Sequence, residues 1–281
     1  MAQEVTLTAA MRANLISLQS TEALLGRTQE RLATGKKVNS ALDNPINYFA
    51  AAAHTERANQ FITRKDGMGE AIQTIKAANS GIEGIKALLQ NLRGVVEAAR
   101  TSTNTATEQA QANEIVNQII QLVSDSGYKG VNFLNGTGVS LDVLFNETGS
   151  NRLTVQGFQT ILAGGTMTGM AGISNGSLIS TGMAGFSAAS SLNALDAAIN
   201  SAISVLRSQA SVLSSNLAVI NARLDFTNQM VNTLKEGADK LTLADTNEEG
   251  ANMLALQTRQ QLGVTSLSLA SQAAQSVLRL F

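Results

Sequence analysis

The chain has 281 residues, a net charge of −1 and no cysteine; hydrophobic residues make up 44% of it and aromatic residues only 4%. The near-neutral charge offers no electrostatic footprint for nucleic acid or an anionic membrane, and the absence of cysteine excludes disulfides and thiolate metal sites. A single proline leaves few helix breakers, and apolar residues that are mostly Ala, Leu, Ile and Val suit narrow helix packing.

The first predicted element is a helix over residues 5–32. Gly35 ends it, and Pro45 forces the preceding Asn44 out of the α region, so a non-helical joint follows within residues 1–43. The N-terminal residues lack the basic and apolar regions of a secretory signal peptide, so we expect any export to use another route. The apolar positions of this helix form a predicted assembly stripe, which comprises Met11, Leu15, Leu18, Leu25 and Leu32.

The second predicted helix has the most regular pattern in the chain. Over residues 61–99 an apolar residue recurs at every seventh position, with a second apolar set three residues further on and only Arg64 interrupting. A heptad pattern of this length indicates a long helix packed against a long partner helix. Its repeated positions are Phe61, Met68, Ile75, Ile82, Leu89 and Val96.

A shorter third helix completes residues 44–135. Thr105 and Glu108 match the capping-box pattern at its start, and Gly127 lies near its end. Residues 136–186 are rich in glycine and almost uncharged. The β-rich stretches on either side of residues 146–151 predict a hairpin, and residues 162–185 are predicted to be a loop-rich insertion.

The partner of the second helix is predicted at residues 187–242, with Gly237 as a break. Its heptad positions are Leu192, Ile199, Leu206, Leu213 and Ile220, and the same frame continues after Thr227 with Leu234 and Leu241. Thr246 and Glu249 then match a second capping box, which opens a final helix over residues 247–281. This helix is weakly charged yet too polar for lipid, so we expect protein to bury it. Its predicted assembly residues are Leu256, Leu267, Leu269, Val277, Leu278 and Phe281.

The order of these elements predicts a mainly α fold in the form of an elongated rod. The two terminal helices pair antiparallel, the two long helices inside them pair likewise, and the small β hairpin and insertion lie at the far tip. A rod this thin cannot bury the apolar stripes of its terminal helices. The stripes must therefore contact neighbours, which favours an open, heterologous polymer.

Enzymatic and metal sites are not expected. His54 is the only histidine, so neither an HExxH zinc site nor a Ser-His-Asp triad can be built. Asp245 opens a segment similar to an EF-hand loop, but Leu256 occupies the position that requires a glutamate. We predict no catalytic residue, no cofactor and no metal.

Residues 28–35, TQERLATG, and 38–43, VNSALD, closely resemble the N-terminal motif of bacterial flagellins. Residues 44–50, NPINYFA, are similar to the variant in alphaproteobacterial flagellins, and residues 272–281 are similar to the closing motif of the family. The resemblance covers both ends of the chain but not residues 136–185. Its motif and joint residues here are Glu30, Arg31, Leu32, Gly35, Asn39, Ser40, Asp43 and Pro45.

The resemblance implies a D0 domain of paired terminal helices (1–43 and 243–281), a D1 helical bundle (44–135 and 187–242) and an outer domain reduced to residues 136–186. It also implies export, unfolded, through the flagellar type III apparatus and polymerisation into the extracellular flagellar filament for swimming. The implied partners are other flagellin copies, hook-associated junction and cap proteins, the export apparatus and a secretion chaperone. Neither nucleic acid nor membrane is an expected partner.

Two alternative functions remain open at this point. A hook–filament junction protein shares the D0/D1 plan but usually diverges in the motif that is intact here. A non-flagellar coiled-coil adaptor would share only the helical scaffold. Electron microscopy of material sheared from cells would separate a filament subunit from both.

The resemblance also implies a candidate patch for the vertebrate Toll-like flagellin receptor. Flagellins that this receptor detects carry a stretch resembling L-Q-R-x-R-E-L, and residues 89–95 here read LQNLRGV. Gln90 and Arg93 match that stretch, whereas Asn91, Gly94 and Val95 replace its first arginine, its glutamate and its last leucine. We therefore expect weak recognition by the receptor.

Overall fold

A computed structural model describes residues 9–136, 138–158, 160–162, 166–167 and 189–278. Within these ranges the chain is mainly helical, as predicted, with two small antiparallel sheets. None of the helices in these ranges combines the length and apolar content that a bilayer crossing requires. The elements are α1 Ala9–Thr34, α2 Pro45–Thr101, α3 Thr105–Asp125, β1 Ser140–Leu144, β2 Arg152–Gln156, β3 Ile161–Leu162, β4 Thr166–Met167, α4 Ala189–Thr242 and α5 Thr246–Leu278.

The chain divides into two compact units. The first comprises the described parts of residues 1–56 and 233–281, and the second those of residues 57–232. The long helices α2 and α4 each contribute a segment to both units. The joint predicted within residues 1–43 and the break predicted at Gly237 therefore lie inside the first unit.

The hydrophobic core of the second unit forms along the heptad faces of α2 and α4. The heptad residues predicted in this unit are buried: Phe61, Met68, Ile75, Ile82, Leu89 and Val96 on α2, and Leu192, Ile199, Leu206, Leu213 and Ile220 on α4. Helix α3 adds Ala112, Val116, Ile119 and Val123. Full burial of one such side chain contributes roughly 1.5–3 kcal/mol, whereas an exposed ion pair contributes about 0–1 kcal/mol, so this core dominates the stability of the unit. In the first unit, Leu234 is buried and Leu241 is half-buried.

Two glycines of α2 allow the end of α3 to approach closely. A Cβ on Gly81 would collide with Ser126 Oγ, and one on Gly84 would lie 2.8 Å from Leu122 Cδ2. Real Cβ atoms are not found so near to other atoms, so a larger residue at Gly81 would displace Ser126 and the end of α3, whereas at Gly84 the flexible end of the Leu122 side chain can move aside. The seven-residue pattern of α2 carries no sign of this contact.

The predicted hairpin is confirmed. Strands β1 and β2 pair antiparallel, with Leu141 opposite Val155 and Val143 opposite Leu153. Val143 and Val155 are buried in the core of the second unit, and Gly149 supplies the left-handed residue of the turn at φ 72°. A second short pair, β3 with β4, lies partly in the stretch predicted to be loop. Residues 163–165 and 168–185 of that prediction lie outside the described residues.

Three details of the helix boundaries correct the sequence predictions. Helix α3 is capped by Asn104, whose Oδ1 accepts from the Ala106 amide at 3.3 Å. Helix α5 is capped by Asp245, whose Oδ1 accepts from the Asn247 amide at 2.9 Å. Both capping boxes were predicted one residue too late, because Asn and Asp cap as well as Thr. Helix α4 also continues through Gly237, since an interior glycine costs only about 1 kcal/mol.

Candidate assembly surface

The terminal helices α1 and α5 pack on each other in the first unit. Asn14 Nδ2 donates to Ser266 Oγ at 3.2 Å, and Arg31 Nη1 donates to Glu249 Oε1 at 2.7 Å. The start of one helix thus lies beside the end of the other, so the pair is antiparallel. A Cβ at Gly263 would lie 2.7 Å from Leu18 Cδ2, so this glycine allows the two helices to approach closely.

The predicted assembly stripe is only partly covered by this pairing. Met11 is buried; Leu18, Leu25, Leu32, Leu256 and Leu267 are half-buried; Leu15 and Leu269 are exposed. Nothing is described for the side chains of Val277 and Leu278 or for Phe281. Large apolar residues outside the predicted stripe are also exposed, namely Ile16, Leu24, Leu254, Leu262 and Val264.

Three of the exposed apolar residues of α5, Leu262, Val264 and Leu269, lie on a stretch without charge. After Arg259 the sequence has no charged residue until Arg279. Leu262 and Leu269 are 66% and 62% exposed in this stretch. Monomeric soluble proteins rarely expose contiguous apolar surface, and such surface marks an interaction site.

Backbone hydrogen bonds join the segment that follows α1 to the segment that precedes α5. The Gly35 carbonyl accepts from the Ala244 amide at 3.0 Å, and the Lys37 amide donates to the Thr242 carbonyl at 2.8 Å. Lys36 and Leu243 form an isolated antiparallel bridge between these bonds. Gly35 adopts a φ of 68°, a left-handed conformation that glycine takes without strain and that ends α1.

The motif residues form a hydrogen-bonded turn after α1. Asp43 Oδ2 accepts from the amides of Asn39 and Ser40, both at 3.0 Å. These backbone bonds, with that of Ser40 the stronger, hold the pKa of the Asp43 carboxyl below its usual value. Asn39 Nδ2 in turn donates to Thr34 Oγ1 at 3.1 Å and to Glu30 Oε1 at 3.4 Å. The motif therefore fixes the path of the chain as it leaves α1.

The turn leads directly into α2. Pro45 is the first residue of this helix, where its missing amide hydrogen costs no hydrogen bond. Asn44 Oδ1 accepts from the Asn47 amide at 3.0 Å and caps the helix. The short segment from Gly35 to Pro45 is thus ordered at both of its ends.

The candidate receptor patch lies on α2 in the second unit. Gln90 and Asn91 are exposed, and Val95 is half-buried against the core. Arg93 Nε forms an ion pair with Asp196 Oδ1 at 2.8 Å. The basic residue that matches the family stretch is therefore engaged by α4 of its own chain.

The described residues contain no group of three or more His, Asp or Glu side chains placed to hold a metal ion. Charged side chains among these residues form ion pairs, such as the one between Lys129 Nζ and Glu70 Oε2 at 2.8 Å.

Comparison with known proteins identifies the family. Residues 5–138 match the bacterial flagellin N-terminal helical region, and residues 189–281 match the bacterial flagellin C-terminal helical region. Flagellin FljM of Caulobacter vibrioides is 30% identical over 271 residues, which cover 95% of this chain and 94% of that protein. A flagellin of Brucella melitensis is 29% identical over 293 residues, covering 100% of this chain and 99% of that protein.

A crystal structure of Bacillus cereus flagellin aligns with a TM-score of 0.46 and 13% identity, covering 57% of this chain and 88% of that one. The two family regions together leave only residues 1–4 and 139–188 of the chain unmatched. The Caulobacter relative covers nearly the whole chain. The chain belongs to the bacterial flagellins, the structural proteins that polymerise with other flagellin copies into the flagellar filament.

Proposed function

We propose that the apolar surface of the α1–α5 pair is the face through which copies of this flagellin pack in the filament. The observation that carries the proposal is the row of exposed apolar residues on an uncharged stretch of α5, which includes Leu262 and Leu269. Their burial requires neighbours, because two paired helices cannot cover both of their own faces.

The energetics favour repeated contacts of this kind. Burial of a leucine side chain contributes roughly 1.5–3 kcal/mol, and association costs about 4–15 kcal/mol in lost freedom of motion. Several leucines per subunit, buried against more than one neighbour, can therefore exceed that cost. In a helical polymer the same gain recurs at every subunit.

The ordered joint supports this role. The bonds of Gly35 with Ala244 and of Lys37 with Thr242 hold α1 and α5 together where they meet the long helices. The Asp43 turn fixes the direction in which α2 begins. A joint with a defined path lets each copy present the α1–α5 surface in the same orientation, as a regular lattice requires.

We further propose the remaining partners and the location from family membership. The subunit would be exported through the flagellar type III apparatus with a secretion chaperone that shields its apolar ends, and would function outside the cell. At the two ends of a filament the α1–α5 surface remains uncovered. Hook-associated junction and cap proteins would cover it there.

The decisive test is a charge on the exposed apolar face. Leu262→Asp places a carboxylate where packing excludes water, and an unpaired buried charge costs several kcal/mol. We expect loss of sedimentable filaments while the circular dichroism of the monomer stays helical. Gln261→Asp adds the same charge at the adjacent exposed residue and is the matched control. Normal filaments and motility from Leu262→Asp would contradict the proposal.

A further inference from the structure

We propose a second contact between flagellin copies, in which Leu42, Ile46 and Phe49 of one copy pack onto Val212, Val219 and Phe226 of a neighbouring copy. The inference rests on the filament function proposed above, and it concerns residues outside α1 and α5. It assigns a partner to two apolar surfaces that the chain itself leaves uncovered.

The first surface begins in the Asp43 turn and continues onto α2. Leu42, Ile46 and Phe49 are 96%, 80% and 62% exposed. Their spacing of four and then three residues places Ile46 and Phe49 on one side of the first turns of α2. Tyr48 supports the Phe49 ring edge to face, with ring centroids 5.6 Å apart. The surface is therefore preformed.

The second surface is a stripe along α4. Val212, Val219 and Phe226 are 43–51% exposed and recur at intervals of seven, so they share one side of the helix. Between Arg207 and Arg223 the sequence has no charged residue. A row of this kind, beside the buried heptad face, is available to a further apolar partner.

The stripe ends at an open cavity in the second unit. Phe226 lines this cavity of about 320 Å³ together with Phe61 and Met230. Its wall also contains Arg223, whose guanidinium lies 5.3 Å from the centroid of the Phe145 ring. The cavity can accept an apolar side chain such as Leu42.

The charges at the two surfaces are complementary. Asp43 is the only charged residue between Val38 and Ala53, and its Oδ2 accepts the amides of the turn, so its other oxygen is available to a partner. Arg223 lies on the side of α4 that bears the stripe, and no ion pair of Arg223 occurs among the described residues. Asp43 of one copy can thus face Arg223 of the next.

The occupant is a second copy of the same chain for two reasons. Flagellins polymerise with other flagellin copies, so every subunit meets many identical neighbours. Each copy also carries one surface of each kind, and a contact between two different surfaces repeats along a filament without closing.

The chain has no cysteine, so engineered cysteines test the contact directly. One copy carries a single cysteine at Leu42, Ile46 or Phe49, and a second copy carries one at Val212, Val219 or Phe226. The nine mixtures are copolymerised with an excess of unmodified protein and oxidised. A disulfide forms only when the two Cα atoms lie within about 7 Å, so we expect a covalent dimer in at least one mixture.

Cysteines at Thr55 and Asn221 supply the control pair, because both residues are exposed. Thr55 lies about half a turn around α2 from Ile46, and Asn221 lies about half a turn around α4 from Val219, so both point away from the proposed contact. Filaments that yield no dimer in any of the nine mixtures would overturn this contact while leaving the filament function intact. Equal dimer yields from the control pair would overturn it as well.

A charge exchange provides an independent readout. We expect Ile46→Glu and Val219→Lys each to reduce the mass of sedimented filaments at least tenfold, and the double variant to recover at least half of the unmodified level. Because Leu262→Asp acts on the other surface, a filament blocked by that substitution would not be rescued by Val219→Lys. Failure of the double variant to exceed both single variants would contradict the pairing.

Discussion

Arg31 Nη1 donates to Glu249 Oε1 at 2.7 Å, so the end of α1 is joined to the start of α5 by an ion pair. The Glu249 side chain is only 9% exposed, and that of Arg31 is 33% exposed. Removing the arginine leaves a nearly buried carboxylate without its cation. The pair is therefore the main polar link between the first turn of α5 and the motif residues of α1.

The first prediction concerns this ion pair. Arg31→Ala should destabilise the joint by about 1–3 kcal/mol, less than the 3–5 kcal/mol typical of a fully buried pair, because the arginine is partly solvated. Hydrogen exchange of the amides near the end of α1 measures the effect. Glu236→Ala breaks the exposed pair with Lys240 and should have little measurable effect, because solvent screens an exposed ion pair. Equal effects of the two substitutions would contradict the expectation.

The second prediction is a pH dependence of the joint. The folded state lowers the pKa of the Asp43 carboxyl from its usual value near 3.8. The ionised carboxylate therefore contributes its full stability above that usual pKa, and this contribution is lost as the pH falls through the lower pKa of the folded state. Asp43→Asn should therefore be less stable than the unmodified protein at pH 6, with the difference shrinking below pH 4. Asp66→Asn, at an exposed acid of the second unit, is the control; a difference that grows on acidification would exclude this role.

The third prediction separates two glycines of α2. Gly81→Ala should destabilise the second unit by about 1–3 kcal/mol, because its Cβ collides with Ser126. Gly94 has no atom within 4 Å of a Cβ position, so Gly94→Ala should stabilise the helix by about 0.5–1 kcal/mol. Urea unfolding of the monomer measures both. A change of the same sign in both variants would refute the close approach of α3.

The fourth prediction concerns host recognition. Loss of an arginine at an interface centre commonly costs about 2 kcal/mol or more, roughly thirtyfold in affinity. Asn91 stands where the receptor-binding stretch has that arginine, and Arg93 is engaged by Asp196. We therefore expect purified monomer to be a weak agonist in a reporter-cell assay of the Toll-like flagellin receptor.

Restoring the stretch tests the same idea. Asn91→Arg combined with Gly94→Glu should raise potency, and Val95→Leu should add little because Val95 is half-buried against the core. Glu97, which is exposed further along α2, provides the control variant Glu97→Gln. Potency of the unmodified protein equal to that of a flagellin with the full stretch would show that these replacements do not matter.

The sequence by itself determined which helix faces enter the core of the second unit. Ile75 and Ile82 of α2 and Ile199 of α4 each belong to a seven-residue apolar repeat. Such a repeat faces the partner in any long helix packed lengthwise on another, so burial of these residues is predictable without knowing the partner. The hairpin was predictable for a similar reason, because alternation and turn chemistry are local. The motifs at residues 28–43 and 272–281 likewise indicated the flagellin family from sequence alone.

Only the tertiary structure decided which polar and apolar groups meet across the chain. Arg31 and Glu249 stand far apart in sequence, and the collision at Gly81 depends on a loop after α3, so no local pattern encodes either contact. The stripe predicted on α1 and α5 included Leu18, which packs beside Gly263 within the pair, and omitted Ile16, which remains exposed. Periodicity reports that a face is apolar; which neighbour covers that face depends on how the helices pack.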